Sequence, residues 1–370
     1  MNSRGKIKQL QNKMIINVTK TFFPPIEEYQ KQLKRIWDNQ WLTNNGELYK
    51  ELSLKLKEYL GVNHIIPMTN GTLPIQIALN DFAKQGEVIT TPFSYVATTA
   101  CIVWEKCTPV FVDIHPEYLT IDETKIEASI TNKTTAILAT HVYGNPCAVE
   151  EIETIAKKHN LKVIYDAAHC FGVTYKGQSV FNYGDVSTCS FHATKLFHTG
   201  EGGALFCQDE TTKKEMWFRH NFGHDGPEKY HGLGMNAKMS ELQAAMGLSV
   251  LPYMEHILAE RKRVCDHYDK HLDFSKLQKL KIRENTQWNY SYYPVIFESE
   301  HELLKVKSKL EDQNINPRRY FYPSLEELPY VQSNDCSIAH DISQRVLCLP
   351  LCVDLSNQSL FKIVNLLNNA

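Results

Sequence analysis

The pattern of apolar and polar positions predicts that buried strands alternate with helices over most of the chain. Short apolar runs, such as Glu87–Thr90 and 162–165, are typical of buried strands, and segments with apolar residues at helical spacing lie between them. Strands that are apolar almost throughout and alternate with helices indicate a largely parallel sheet covered on both faces. The sequence therefore predicts an α/β fold built on such a sheet.

The C-terminal part has a different pattern. Strand patterns at 292–297 and 346–351 stand beside helical patterns at 301–312 and 360–367, without the regular alternation of the earlier part. Strands and helices in this irregular order are typical of α+β architecture. We therefore expect a second, smaller α+β unit at the C-terminus.

We place the domain boundary inside the segment 240–270, which has the pattern of one long helix. A chain of 370 residues tends to divide because a single core stops growing near this size. Residues 1–260 are expected to form a large domain that holds the site, and residues 261–370 a small C-terminal domain. Residues before about Thr21 are expected to be a loose lead-in.

Composition and charge exclude several classes of protein. The net charge is −2 and there is no basic tail, so nucleic acid is not expected as a partner. No apolar run approaches the ~20 residues that cross a bilayer, and the basic N-terminus lacks the apolar core of a signal peptide. Ten cysteines without metal-ligand spacing are expected to be buried thiols. Together these features predict a cytoplasmic protein without a membrane partner or a bound metal.

One stretch, 187–206, carries the main candidate chemistry. Its pattern predicts a buried strand, a polar turn, a glycine-rich turn and a second apolar strand. Lys195 lies in the polar turn, among the apolar neighbours Phe191, Leu196 and Phe197. Burial disfavours the ammonium form, and a lysine in such a place can act as a nucleophile toward carbonyl groups. An ordinary exposed turn lysine is the alternative interpretation.

Other polar stretches follow predicted strands, where open α/β sheets bind ligands. The turn 69–72 opens a helix, so its free N–H groups suit a phosphate, although a plain N-cap is equally consistent. Asp166 and His169 follow a strand directly, with an N-cap as the alternative for Asp166. Tyr95 stands at another strand-to-helix junction, where it suits ring stacking or core packing. The long polar segment 220–241 is expected to be functional rather than a simple connection.

These motifs, taken in this order, resemble one family. The set comprises 70–72, 166–169, 190–195 with Gly-Glu-Gly-Gly at 200–203, and 235–245. It is similar to the sugar aminotransferases of the DegT/StrS type, and the resemblance extends from about residue 22 to the C-terminus. It implies the fold type I of pyridoxal-phosphate-dependent transferases, with a mixed sheet. It also implies pyridoxal 5'-phosphate as cofactor and a homodimer with shared active sites.

The resemblance implies a role for each matching residue. Lys195 matches the lysine that forms a Schiff base with the cofactor, and Asp166 matches the carboxylate that pairs with the pyridine nitrogen. These two are the expected catalytic residues. Further matching residues are expected around the ring and the phosphate, with Asn236 reaching from the partner subunit: Gly71, Thr72, Tyr95, His169, Ser190 and Asn236.

The resemblance also suggests the substrates. The amino donor is expected to be L-glutamate. The His-Ala-Thr-Lys run and the Gly-Glu-Gly-Gly run look like the family members that act at C4 of the sugar. The expected acceptor is dTDP-4-keto-6-deoxyglucose, aminated for O-antigen or antibiotic sugar synthesis, with a C3 or another C4 nucleotide ketosugar as the alternative. Residues that suit contact with the nucleotide or sugar, or equally a solvated face, are Trp41, Lys238, Tyr290 and the run 318–322, among which Arg319 and Tyr322 are the chosen candidates.

Three other functions fit parts of the sequence. A sugar dehydratase of the same fold would carry histidine in place of Lys195. A non-catalytic regulatory relative is expected to lose Asp166 or Lys195, and both are present. A metal site would use closely spaced histidines such as His192 and His198, but no matching carboxylate pattern accompanies them. The aminotransferase interpretation is therefore favoured.

Overall fold

The computed structural model describes residues 15–332 and 335–369, and within these ranges no helix is long and apolar enough to cross a lipid bilayer. The α-helices follow the chain as α1 (Ile26–Asn39), α2 (Glu47–Leu60), α3 (Thr72–Phe82), α4 (Val96–Trp104), α5 (Glu123–Ile126), α6 (Val149–His159), α7 (Glu210–His220), α8 (Glu241–Val250), α9 (Met254–His271), α10 (Glu300–Glu311), α11 (Ser337–Arg345) and α12 (Asn357–Asn368). The strands are β1 (Ile16–Asn17), β2 (His64–Met68), β3 (Glu87–Thr90), β4 (Thr108–Phe111), β5 (Thr134–Thr140), β6 (Lys162–Asp166), β7 (Thr174–Tyr175), β8 (Gln178–Ser179), β9 (Val186–Ser190), β10 (Gly203–Cys207), β11 (Gln278–Lys279), β12 (Thr286–Gln287), β13 (Tyr293–Ile296), β14 (Ile315–Asn316) and β15 (Val346–Leu349).

The central sheet has the strand order β2-β10-β9-β6-β5-β3-β4. The strands from β9 to β4 run parallel to one another, whereas β10 runs antiparallel to both β9 and β2. The prediction of an α/β fold with a largely parallel mixed sheet is confirmed. The carboxyl ends of the parallel strands meet at one edge of this sheet, which is where such sheets bind ligands.

Helices cover both faces of the central sheet, as the side chains of β5 show. Ala136 and Leu138 pack into one core with residues of α3 and α4. Ile137 and Ala139 alternate with them and pack on the other face, against α6. A further core joins α1, α2 and α8 to β9 and β10. Because both faces of the sheet are buried, the strand sequences consist almost entirely of apolar residues.

The predicted long helix at 240–270 is wrong. The segment forms two helices, α8 and α9, which are separated by a short 3₁₀ turn at Leu251–Tyr253. Pro252 lies in this turn. A proline removes one backbone N–H donor and its ring clashes with the preceding helical turn, so it breaks a helix that the apolar pattern alone would continue.

The C-terminal region has a core of its own, formed by α9, α10 and α12 with β13 and β15, and Tyr268 and Leu303 are buried in it. A separate cluster joins this region to the central sheet. It contains Phe93 from the sheet side together with Tyr292 and Phe321 from the C-terminal side. This shared cluster lies next to the carboxyl edge of the sheet, because Phe93 stands three residues after the end of β3.

The expectation of a loose lead-in before Thr21 is wrong for the residues that the structure describes; residues 1–14 lie outside them. Ile16–Asn17 pairs in parallel with Ile315–Asn316 of the C-terminal region. The Thr21 hydroxyl donates a hydrogen bond of 2.9 Å to the carbonyl oxygen of Ala193, in the loop after β9. This N-terminal segment therefore links the C-terminal region to the loop that carries Lys195.

Candidate active site

Asp166 is the last residue of β6 and is buried at the carboxyl edge of the sheet. Its Oδ2 accepts a 2.6 Å hydrogen bond from the Thr98 hydroxyl, and its Oδ1 accepts one of 3.1 Å from the backbone N–H of Ala168. Burial raises the pKa of Asp166, although these hydrogen bonds and the charge of Lys195 oppose the shift. Among residues 15–332 and 335–369 it has no ion-pair partner. A buried carboxylate in this state suits a cationic ligand.

Thr98 belongs to a chain of buried hydroxyl groups that the sequence analysis missed. The Ser94 and Thr98 hydroxyl oxygens lie 2.7 Å apart, and the Thr140 hydroxyl donates to Ser94 Oγ over 3.0 Å. All three side chains are buried. The chain fixes the position of the Thr98 hydroxyl and so the orientation of the Asp166 carboxylate. One feature of the sequence could have indicated this network. Ser94 and Thr98 are hydroxyl residues four positions apart, one just before α4 and the other in its first turn.

Lys195 lies in the loop between β9 and β10. The loop is closed by backbone hydrogen bonds, including one of 2.7 Å from Ala193 N–H to the Gly200 carbonyl oxygen and one of 2.8 Å from Lys195 N–H to the His192 carbonyl oxygen. The Lys195 Nζ stands 5.8 Å from the centroid of the Tyr292 ring. In the described part of the chain no side chain accepts a hydrogen bond from it or forms an ion pair with it. The amine is half-buried and available for another partner.

The turn before α3 comes together with the end of β9. A side-chain Cβ added to Gly71 would lie 2.8 Å from the Ser190 Cβ, so only glycine allows this approach. The Asn70 Oδ1 accepts hydrogen bonds of 2.9 Å from the backbone N–H groups of both Thr72 and Leu73. Asn70 is therefore the side chain that caps this helix start.

His169 is buried, and both of its ring nitrogens have partners. Its Nδ1 accepts a 3.2 Å hydrogen bond from Tyr143 N–H, so the neutral ring carries its proton on Nε2, which lies 3.4 Å from the Tyr320 hydroxyl. Burial holds the pKa of His169 well below its usual value, and the positive charges of Lys195 and Arg318 add to this. His169 is therefore a neutral hydrogen-bonding group at the edge of the site.

An aromatic wall from the C-terminal region faces these residues. The Tyr320 ring lies 5.1 Å from the Tyr292 ring and 6.2 Å from the Tyr95 ring, measured between centroids. Tyr95 is 48% exposed, immediately before α4, whereas Tyr292 and Tyr320 are buried. Tyr95 is among the residues predicted from the sequence, Tyr292 is not, and Tyr320 is included only within the run 318–322. These residues close the site opposite Lys195.

Asn236 and Lys238 lie beside the turn before α3. The carbonyl oxygen of Ala237, between them, accepts a 2.9 Å hydrogen bond from Thr69 N–H. The Lys238 Nζ donates to Asn236 Oδ1 over 2.6 Å and stands 4.8 Å from the Phe222 ring centroid. Partial burial lowers the pKa of Lys238. The side chain of Asn236 is exposed.

Three of the candidate substrate residues, Tyr290, Arg319 and Tyr322, have side-chain partners within the chain. Tyr290 has a left-handed backbone (φ 55°) that turns its side chain toward Trp288, at 5.0 Å between ring centroids. Arg319 is occupied by an ion pair of 2.6 Å with Glu300 and stacks on the ring of Tyr322. They stay candidates for contact with the substrate, whereas Tyr292 lies beneath Lys195 Nζ and the Tyr320 hydroxyl lies beside His169.

Trp41, the remaining candidate, lines a surface cavity of about 410 Å³ between α1 and α2, together with Asn45 and Glu241. Glu241 organises this cavity. Its two carboxylate oxygens accept hydrogen bonds of 2.8 and 2.9 Å from the backbone N–H groups of Leu48 and Tyr49, at the start of α2. Trp41 is 53% exposed, so its indole face is free to contact a ligand or a second chain.

The described residues bring no group of three or more His, Cys, Asp or Glu side chains together in a way that suits a metal ion. All ten cysteines are buried and unpaired, as the composition predicts. Lys195 and Asp166 therefore remain the principal reactive groups at the carboxyl edge of the sheet.

Comparisons with known proteins agree with this architecture. The family model described as the DegT/DnrJ/EryC1/StrS aminotransferase family matches residues 25–368. A dTDP-4-amino-4,6-dideoxy-D-glucose transaminase of Shigella dysenteriae is 42% identical over 357 residues, which cover 95% of this chain and 97% of the relative. A transaminase of the same description from Escherichia coli is 39% identical over 368 residues, covering 96% and 99%.

A solved structure, described as DesI in the presence of its TDP-sugar product, superposes with a TM-score of 0.90 at 30% identity. The superposition covers 96% of this chain and 92% of DesI. The predicted fold type I is therefore confirmed. Sequence, fold and the geometry around Lys195 and Asp166 agree on one assignment: the chain belongs to the DegT/DnrJ/EryC1/StrS aminotransferase family and is an aminotransferase.

Proposed function

We propose that this enzyme uses pyridoxal 5'-phosphate to move an amino group from L-glutamate to C4 of dTDP-4-keto-6-deoxyglucose. The product is dTDP-4-amino-4,6-dideoxyglucose. The observation that carries the proposal is that two groups without an ion-pair partner among the described residues occur together: the half-buried amine of Lys195, which stands over the Tyr292 ring, and the buried carboxylate of Asp166. Both stand at the ligand-binding edge of a parallel sheet.

The residues present fit the cofactor. Lys195 supplies the amine that binds an aldehyde, and Asp166 supplies the carboxylate for a protonated ring nitrogen. Tyr95, exposed at the start of α4, supplies a flat face for the ring, and His169 supplies a neutral donor. The phosphate would lie against the cradle that is formed by Gly71, Thr72 and Ser190, with Asn236 of a partner subunit reaching it.

The bound cofactor supplies an electron sink for the carbon that exchanges its proton. The chain supplies the rest. Asp166, held by Thr98 and Ala168, stabilises positive charge on the ring nitrogen. Lys195, whose backbone is held in the closed loop between β9 and β10, would take the proton from the donor α-carbon and pass it to the cofactor carbon to which its amine had been bound. Burial by the aromatic wall excludes water from this transfer.

The substrate is inferred from the relatives. Two relatives that are about 40% identical over nearly the whole chain are described as dTDP-4-amino-4,6-dideoxy-D-glucose transaminases. The structure of DesI was solved in the presence of its TDP-sugar product. The His-Ala-Thr-Lys and Gly-Glu-Gly-Gly runs support C4 of the sugar as the reacting position. Trp41, which is 53% exposed, and Lys238 are the residues that we propose contact the nucleotide. We place the reaction in the synthesis of O-antigen or antibiotic sugars.

We further propose a homodimer with shared active sites, in which the segment around Asn236 reaches the partner. The exposed aromatic and aliphatic side chains of this segment support an interface, since Phe222 is 48% and Leu233 75% exposed. We divide each subunit at 260/261 into a large cofactor-binding domain and a small α+β domain. Ten buried, unpaired cysteines support a cytoplasmic location.

The test of the proposed function is product formation by the holoenzyme with L-glutamate and a set of nucleotide ketosugars. Amination of dTDP-4-keto-6-deoxyglucose at C4, with far slower reaction of a GDP-linked 4-ketosugar and of dTDP-linked 3-ketosugars, is the expected result. Preferential amination of any other member of the set would overturn the substrate assignment. Each reaction is compared with the same mixture containing Lys195→Ala.

A further inference from the structure

Two adjacent arginines of the C-terminal region have opposite surroundings. Arg319 is largely buried and already paired, with its Nη2 2.6 Å from Glu300 Oε1 and 3.0 Å from the carbonyl oxygen of Gln344. Arg318 is exposed, and among the residues that the structure describes no carboxylate lies within ion-pair distance of it. Arg318 therefore carries a positive charge that the chain itself does not neutralise.

The position of Arg318 is nevertheless fixed. Its backbone N–H donates over 3.1 Å to the carbonyl oxygen of Cys348, and the Cys348 N–H donates back over 2.8 Å to the Arg318 carbonyl oxygen. The guanidinium carbon stands 4.5 Å from the centroid of the Tyr320 ring, over which the planar group is stacked. Stacking and backbone pairing reduce the freedom that a long side chain would lose on binding an anion.

The ring beneath Arg318 belongs to the wall of the active site. The Tyr320 hydroxyl lies 3.4 Å from His169 Nε2, and the Tyr320 ring lies 5.1 Å from the ring of Tyr292, over which Lys195 stands. The positive charge of Arg318 is also one of the causes that lower the pKa of His169. These contacts connect Arg318 to His169 through one aromatic ring, that of Tyr320, and to Lys195 through two, those of Tyr320 and Tyr292.

We propose that Arg318 binds the α-carboxylate of the amino donor. The inference rests on the proposed function and specifies how the donor is recognised. The α-carboxylate is bonded to the carbon that exchanges its proton, so the cation that holds it must stand close to Lys195 and His169. The diphosphate of a nucleotide ketosugar is separated from the reacting carbon by the sugar ring and belongs farther out. The planar guanidinium suits a carboxylate, which it can bind through two parallel N–H···O bonds.

The test separates the two halves of the reaction in the holoenzyme. In the donor half, the pyridoxal form reacts with L-glutamate; in the sugar half, the same form reacts with dTDP-4-amino-4,6-dideoxyglucose in reverse. Arg318→Gln is expected to lower kcat/KM for L-glutamate about 10- to 100-fold, because a charge-assisted pair is lost. The sugar half is expected to change by no more than about twofold. Arg318→Lys, which keeps the charge without the fork, is expected to fall between parent and Arg318→Gln.

A second readout does not depend on turnover. The dissociation constant of 2-oxoglutarate, which carries the carboxylate but cannot react with the pyridoxal form, is measured by calorimetry and is expected to rise at least about tenfold in Arg318→Gln. Arg345→Gln is the matched control, because this arginine of the same region donates to the carbonyl oxygen of Phe297 and pairs with Asp341. It is expected to leave both halves and the 2-oxoglutarate affinity unchanged.

Three results would overturn the proposal: an unchanged donor half in Arg318→Gln, an equal fall in both halves, or a fall in the sugar half alone, which would assign the arginine to the diphosphate. The reaction of the parent enzyme with L-glutamate tests the proposed function separately. If the parent does not react with L-glutamate, the proposed donor is wrong, and the ratio of 2-oxoglutarate dissociation constants between Arg318→Gln and parent still decides whether Arg318 binds a carboxylate.

Discussion

The two sides of the active site are built in different ways. The side that is proposed to hold the cofactor comes from the carboxyl ends of β6 and β9 and the turn before α3, so the sheet itself fixes Asp166 and Ser190. The opposite wall comes from loops of the C-terminal region, where Tyr292, Arg318 and Tyr320 are held by packing and by single backbone bridges. The hydrogen bonds between the strands hold the first side in place. The positions of the residues on the second side depend on how the C-terminal region packs against the sheet.

This difference suggests a division of labour. Chemistry that is common to both halves of a transamination needs groups at fixed positions, and sheet ends provide them. Recognition of two unlike substrates needs a surface that accepts each in turn, and a wall made of loops suits this. We therefore expect substitutions on the cofactor side to reduce both halves of the reaction, and substitutions in the wall to reduce them unequally.

The largest effect is expected from Lys195→Ala. The variant loses the amine that binds the cofactor and moves the proton, so the rate of product formation is expected to fall by at least about 10³-fold. The circular dichroism spectrum is expected to match that of the parent, since Lys195 has no side-chain hydrogen bond to lose among the described residues. Turnover within tenfold of the parent would remove Lys195 from the mechanism.

The next effect is expected from Asp166→Asn. The amide cannot keep the ring nitrogen positively charged, so kcat is expected to fall about 10²- to 10³-fold in both halves of the reaction. Steady-state and single-turnover rates at saturating substrate provide the measurement. A fall confined to one half would contradict the assignment of Asp166 to a step that both halves share.

The same substitution is expected to stabilise the protein when no cofactor is bound. Burial raises the pKa of Asp166, so above that pKa the ionised carboxylate destabilises the folded state, and the cost disappears as the pH falls and the group takes up a proton. Asp166→Asn is expected to raise Tm of the cofactor-free protein by about 1–3 °C at pH 7. The difference from the parent should shrink as the pH is lowered, and a difference that grows instead would show that the sign is wrong.

A smaller effect is expected from Thr98→Val, which removes the 2.6 Å hydrogen bond to Asp166 with almost no change in volume. Loss of a hydrogen bond to a charged group is expected to reduce kcat about tenfold in both halves, and to weaken cofactor binding. Thr99→Val, at a buried neighbour whose hydroxyl has no partner in the described structure, is the matched control. Equal effects in the two variants would show that packing, rather than the hydrogen bond, is responsible.

The smallest effect is expected in the wall. Tyr320→Phe keeps the ring that Arg318 stacks on and removes the hydroxyl that lies 3.4 Å from His169. Because that hydrogen bond is long and neutral, kcat/KM is expected to fall by only about two- to fivefold. The ratio of the two half-reactions shows whether the wall discriminates between substrates; an equal fall in both would place Tyr320 on the cofactor side of the comparison.

The positions of Asp166 and Lys195 at the carboxyl edge of the sheet were predictable from the sequence, whereas their roles toward a cofactor stay predictions. Asp166 and Lys195 follow apolar strands of the predicted sheet, so the order of the elements brings them to one edge before any tertiary contact is known. Thr98 was missed although it lies on the same edge, because a threonine at the start of a helix also suits simple packing. The broken helix at Pro252 was missed because the apolar pattern continues through the proline.

There is a physical reason why the residues of the aromatic wall are hard to identify from the sequence. Its residues approach Lys195 from far along the chain, and their orientation depends on single backbone conformations such as the φ of 55° at Tyr290. In the run 318–322 every side chain suits a substrate by type, so the sequence does not distinguish Arg318 from Arg319. Only the ion pair with Glu300 shows that Arg319 is occupied and that Arg318 is available.

The absorption spectrum of the purified protein loaded with pyridoxal 5'-phosphate, recorded before and after addition of L-glutamate, tests most directly whether Lys195 and Asp166 form one aminotransferase site. The account predicts a band of lysine-bound cofactor in the parent, absent from Lys195→Ala, that disappears with glutamate as the band of the aminated cofactor grows. A parent spectrum without the lysine-bound band, or one that glutamate leaves unchanged, would contradict it.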